Sequence, residues 1–206
     1  MKKLACVLVL FLLSACGGGV SKPQPASKPA EAVPATSTPA ESAKTGTKLE
    51  AFLGKHGQIL VKDLYDVGHV KCEYESIGAG VDMKGIVIYE PGSSQKIKGL
   101  RVEVTQSGSR SSISFIDMDE LQSLSDAIAY VSDLSKKWAG QIHQPYTEIT
   151  YISKGEFDLG FYQEGTKATA YVRSGTLGNT IAFLKTGQLD AMKDVVDKAS
   201  VLLGSK

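Results

Sequence analysis

Cysteine is nearly absent from this chain: of 206 residues only Cys6, Cys16 and Cys72 are cysteines, and Cys72 alone lies beyond the N-terminal segment. A single thiol there excludes an intramolecular disulfide and any C-x-x-C metal or redox pair. Histidine is as scarce. His56, His69 and His143 include no pair at the i, i+4 spacing of a helical metal site. An excess of either charge is also missing, since the formal net charge is +1. Removing residues 1–16 takes away Lys2 and Lys3 and no acid, leaving 21 basic against 22 acidic residues. Such a balance creates no field to attract nucleic acid or an anionic membrane surface.

What is present begins with an address. Met1-Lys2-Lys3 is a short positive start, and residues 4–13, LACVLVLFLL, are an apolar run too short for a stable membrane span. Leu13-Ser14-Ala15-Cys16 follows and resembles the lipobox of bacterial lipoprotein precursors. The resemblance implies a diacylglyceryl group on the Cys16 thiol and cleavage that leaves Cys16 as the new N-terminus. In a diderm host, Gly17 resembles the pattern of lipoproteins forwarded to the outer membrane, where the domain would face the periplasm.

Residues 17–47 hold five of the seven prolines and no aromatic residue. Such a segment cannot bury apolar surface, and its prolines favour extended stretches. It reads as a tether, about 30 Å as a flexible coil and up to about 95 Å fully extended. The remaining residues, 48–206, suffice for one sizeable core or two small ones.

An internal repeat organises that part. Ile113–Leu134 aligns without a gap on Ile181–Leu202, pairing Ile113 with Ile181, Phe115 with Phe183, Leu121 with Leu189, Asp126 with Asp194 and Leu134 with Leu202. Upstream of each copy lie short alternating segments: Val70–Glu75, Lys84–Glu90 and Leu100–Thr105 in the first, Tyr146–Ile152, Phe157–Gln163 and Ala168–Arg173 in the second. Helices follow, with Leu121, Leu124, Ile128, Val131 and Leu134 on one stripe and Leu189, Met192, Val196, Ala199 and Leu203 on the other. Thr47 and Glu50 open a further short helix over Leu49–Lys55, and Asp117 with Glu120 has capping-box spacing. The expected fold is α+β: tandem duplicated β-β-β-β-α units over about 58–140 and 141–206, antiparallel, with helices packed on one face and the other face partly open.

Chemistry is harder to find. Asp117, Asp119 and Glu120 form the densest acidic group and could hold a cation, but carboxylates gather at helix starts for electrostatic reasons alone. The second copy has Lys185, Gly187 and Gln188 at those positions. Cys72 reads as a small apolar core residue. Ser107, Ser109, Ser111, Ser112 and Ser114, around Arg110, read as a polar hairpin loop without a G-x-S-x-G elbow. Gly78-Ala79-Gly80 with Gly85 is followed by a strand, where a phosphate loop needs a helix. No cofactor is implied.

These readings favour a membrane-tethered, non-enzymatic binding or structural module of the cell envelope, with a protein, cell-wall or self partner. The candidate binding face carries Arg101 and Glu103 in one unit and Thr169, Tyr171 and Arg173 in the other, because Tyr and Arg most often dominate contacts. An envelope hydrolase or transferase is the alternative, with His143, Cys72 or Asp117 in its site. A second alternative is single-strand binding, since the element order looks like that of Whirly, PUR-repeat and PC4-type proteins. The charge count and the envelope address oppose it.

Overall fold

The computed structural model describes residues 46–74, 78–107, 110–175 and 179–206, all within one compact unit. Cys16, the signal segment and the tether up to residue 45 lie outside the described residues. Thr47, counted with the tether above, belongs to the domain. It is buried and caps α1 (Lys48–Leu53) through a complete capping box with Glu50.

Two antiparallel four-stranded meanders follow. The first holds β1 (Val61–Lys71), β2 (Gly80–Tyr89), β3 (Lys96–Gln106) and β4 (Arg110–Asp117), and leads through a single 3-10 turn, Met118–Glu120, into α2 (Leu121–Trp138). The second holds β5 (His143–Ile152), β6 (Phe157–Gly165), β7 (Lys167–Ser174) and β8 (Thr180–Leu184), and leads into α3 (Gln188–Gly204). The order β-β-β-β-α thus occurs twice in an α+β fold.

β1 is where pattern reading and structure differ most. It starts nine residues earlier than the alternation of Val70, Cys72 and Tyr74 suggests, and ends at Lys71. A bulge places Asp66 opposite Lys84 and Gly68 opposite Met83, so Val67 is the extra residue. Val67 and Val70 therefore both point into the core although three apart. The bulge erases the two-residue period along the strand. Beyond the strand, Cys72 is fully buried while Tyr74 is exposed.

The serine run is not simply a loop. Ser111, Ser112 and Ser114 belong to β4, and two of them tie the sheets together: Ser112 Oγ meets Thr180 Oγ1 at 2.8 Å, and Ser114 Oγ meets Ser174 Oγ at 2.8 Å.

One apolar core runs through the domain, with Val81, Leu100 and Val102 from the first sheet, Phe157, Leu159 and Phe161 from the second, and both helical stripes. Its wiring is crossed. α2 follows the first sheet yet lies on β5 and β6 of the second, where Trp138 packs edge-on against Phe161 at 5.5 Å. α3 follows the second sheet yet lies on β1 and β2 of the first. There Lys198 Nζ donates to the Val67 carbonyl at 2.6 Å and Gln188 Nε2 to the Lys71 carbonyl at 2.5 Å.

The outer face of the first sheet is less open than alternation suggests. Leu49 of α1, fully buried, packs on Ile86 and Ile88 with Phe52, Ile97 and Phe115 around them. Each such buried side chain contributes about 1.5–3 kcal/mol.

Candidate functional site

The strands dictate which side chains reach the outer face of the second sheet. On β5, Ile149 and Tyr151 turn toward the core, so Tyr146, Glu148, Thr150 and Ile152 turn away from it. The register sets Gly160 between Thr150 on β5 and Tyr171 on β7. A Cβ at Gly160 would collide with the Ile149 carbonyl, so only glycine fits. The Tyr171 ring crosses above this bare position, and its hydroxyl reaches Thr150 Oγ1 at 2.6 Å.

Glu148 is the centre of the resulting cluster. It accepts from the Tyr171 hydroxyl at 2.5 Å and the Tyr146 hydroxyl at 3.0 Å, and the Thr150 hydroxyl, 3.3 Å away, shares its one hydrogen between Glu148 and the Tyr171 oxygen. The Tyr171 hydrogen bond, with help from Tyr146 and Thr150, outweighs partial burial and holds the Glu148 carboxyl below its ordinary range. Burial, reinforced by Glu148, pushes the Tyr171 phenol well above its ordinary value, and Tyr146 moves the same way for the same two reasons. The face thus carries an ionised carboxylate held by neutral hydroxyls. Tyr146 also stacks on Tyr162, with centroids 5.4 Å apart and planes 25° apart, and Tyr162 meets Phe183 edge-on.

At the other end of the face, Arg173 donates through Nε and a terminal nitrogen to Asp158, whose hydrogen bond raises the guanidinium further. The Arg173–Asp158 pair lines a cleft of about 330 Å³ with Ile152, Glu156, Gly175 and Asn179. Glu156 has φ +58°, a left-handed conformation that favours glycine.

The five face residues named from sequence lie on two sheets. Tyr171 and Arg173 belong to the cluster just described, and Thr169 stands beside them opposite Tyr162. Tyr171 and Thr169 are buried, only 5% and 6% exposed. Arg101 and Glu103 sit on the outer face of the first sheet, paired at 2.9 Å. Partial burial would raise the Glu103 carboxyl, but hydrogen bonds from Arg101 and Ser111 leave it lowered. Around them Lys84 pairs with Asp66 at 3.4 Å and His69 with Asp82 at 3.0 Å.

Pattern reading missed Tyr146, Glu148, Thr150, Tyr162 and Asp158. The alternation of β5 carries Glu148 to the outer face, but only the register beside Gly160 shows that Tyr171 reaches it.

The candidate catalytic and metal residues go elsewhere. The Asp117 carboxylate accepts the backbone N–H groups of Lys48 and Leu49 at 2.7 and 3.1 Å, so it caps α1 and makes no side-chain cap on its own turn. This replaces the capping box expected with Glu120, because α1 arrives from outside the local sequence. Asp119 pairs with Lys48 at 2.8 Å, and Glu120 accepts the Lys154 N–H at 2.8 Å. His143 stacks on Trp138 at 4.1 Å, and Cys72 lies inside the core. Among the described residues no three His, Cys, Asp or Glu side chains could hold one metal ion, and no helix is long and apolar enough to cross a membrane.

No protein-family model matches the chain, and no curated protein matches it.

Proposed function

We propose that this chain is a non-enzymatic binding module of the cell envelope, tethered by a lipid on Cys16, that offers the outer face of β5–β8 to a partner. One observation carries the reading. Tyr146, Glu148 and Thr150 are exposed, yet the hydrogen bonds converging on Glu148 hold them in place. Side chains ordered in advance lose less entropy on binding, and that loss is one of the costs of recruiting a surface. Tyr and Arg, both present on this face, are the types most often dominant in contacts. The lipobox supports the address, and Gly17 supports an outer-membrane position facing the periplasm in a diderm host.

Mild crosslinking in cells followed by co-purification, with captured proteins and cell-wall fragments both counted as partners, tests the face. Tyr171 is buried, so Tyr146→Ala and Arg173→Ala are the informative variants. Wild type should retain a partner that both variants lose, and identical partner sets for all three would refute the reading. Cys16→Ala should move the protein out of the membrane fraction and abolish incorporation of a labelled fatty acid. Retention of both would refute the anchor.

A further inference from the structure

We infer that the occupant of the β5–β8 face is a neutral glycan strand. The inference rests on the reading of that face as a binding surface and adds the chemical class of ligand. Tyr146 is 54% exposed. Its stack on Tyr162 covers one ring face, and the exposure of the residue leaves ring surface open to water. A pyranose has an apolar C–H patch that lies flat on such a ring, whereas its hydroxyls need acceptors at the ring's edge.

Glu148 supplies an acceptor. An ionised carboxylate offers about four acceptor positions. The Tyr171 hydroxyl, with Thr150 beside it, takes up Oε1, and the Tyr146 hydroxyl occupies one position on Oε2. The position left on Oε2 belongs to an exposed residue beside the exposed ring. Asp158 and Arg173 offer a second polar group further along the face.

The charge pattern decides among ligand classes. Glu148 has no cationic partner among its hydrogen bonds, and Arg173, which attracts it from a distance, is already paired with Asp158, so these three groups together are slightly negative. A phosphate or sulfate polyanion lying along the aromatic pair would be repelled by Glu148 beside it. A protein partner would have to bury Glu148 and the Arg173–Asp158 pair at the middle of its interface, where charge is depleted and desolvation is costly. Sugar hydroxyls solvate these groups in place of water.

The shape agrees. From Tyr146 to Ile152 the face extends about 20 Å along β5. The cleft by Ile152 and Arg173 lies at its far end. An unbranched chain of several sugars can run from the aromatic pair to the cleft.

The test is calorimetric titration of the full chain in detergent with chitotetraose, a neutral tetramer of β-1,4-linked N-acetylglucosamine. Saturable binding is expected, weakened at least tenfold by Tyr146→Ala and by Glu148→Gln in protein that still melts cooperatively above the titration temperature. Lys62→Ala, on the other sheet, should bind as wild type. A sulfated oligosaccharide of equal length should bind at least tenfold more weakly than chitotetraose. Absence of saturable binding to folded protein at millimolar ligand overturns the inference, as does binding that neither face variant weakens. If chitotetraose fails while crosslinked partners still depend on Arg173, the glycan class falls and the binding surface stands. If both fail, both fall.

Discussion

Asp117, at the end of β4, accepts the backbone N–H of Lys48 at 2.7 Å across 69 residues of chain, and its other oxygen holds the N–H of Leu49. A six-residue helix has little stability of its own. Its place over Ile86 and Ile88 depends on this carboxylate and on the fully buried Leu49. Asp117→Ala leaves two helix-start donors without their acceptor, at a cost of about 1–3 kcal/mol. Urea unfolding should show that loss for Asp117→Ala and clearly less for Asp119→Ala, whose ion pair is exposed. Equal losses would contradict the capping role.

The crossed helices make a second expectation. α2 leaves the first half to cover the second sheet, and α3 returns to cover the first. A chain cut after residue 140 would strip each sheet of its helix and expose one side of the shared core. Residues 46–140 and 141–206, made separately, should each lack a cooperative melt, and mixing them should restore one. Independent cooperative melting of either half would show that the exchange is dispensable.

The helices and most strands are legible in the sequence because their apolar spacing is a local property. Leu121, Leu124 and Ile128 advertise a buried stripe without further context. Which sheet that stripe covers is set by chain crossing, which leaves no local mark. β1 is obscured by its bulge at Val67. Asp117 shows capping chemistry in sequence, but the N–H groups it serves belong to a helix 69 residues away. The face is half legible in the same way. Tyr171 and Arg173 stand out by residue type, whereas Glu148 gains its part only through the glycine gap at Gly160.

The turn between β5 and β6 offers a sharper local test. Gly155 lies so close to the Phe115 backbone that a Cβ would collide with its carbonyl oxygen. Glycine is spent on that approach, and Glu156 takes the left-handed position next to it. Gly155→Ala should therefore destabilise by roughly 1–3 kcal/mol, as overpacking does. Glu156→Gly should be neutral or stabilising by up to about 1 kcal/mol, since it removes a left-handed side chain. Chemical denaturation of both variants decides, and a reversed order would contradict this account.

The seam between α2 and α3 predicts an acid response. Ser125 donates to Asp197 at 2.5 Å and Ser132 to Asp190 at 2.6 Å. Asp190 is held below its ordinary range by Ser132 and then Lys136, and Asp197 by Lys193 and then Ser125. A carboxyl lowered in the folded state stabilises above its unfolded value, near about pH 3.9, and that contribution fades as pH falls through the folded value. Both aspartates are about half exposed, so screening keeps each contribution small. The loss of stability between about pH 5 and about pH 3, roughly one unit either side of the ordinary aspartate value, should be smaller in Ser125→Ala/Ser132→Ala than in wild type. An identical loss would mean that the seam does not sense acid.

At the opposite extreme, the Tyr171 phenol should resist ionisation. Its value is raised first by burial and then by its hydrogen bond to the Glu148 carboxylate, because a phenolate there would be desolvated beside a like charge. A group raised in the folded state stabilises fully below its unfolded value, about pH 10 for tyrosine, and progressively loses that contribution above it. Absorbance titration near the phenolate band should show Tyr171 ionising only with unfolding. Tyr171→Phe should remove that late step, cost about 1 kcal/mol through the lost hydrogen bond, and leave the shift of Tyr146 in place, since Tyr146 keeps its own bond to Glu148. Ionisation of Tyr171 in protein that is still folded would mean that the ring does not lie over Gly160 with its hydroxyl on Glu148.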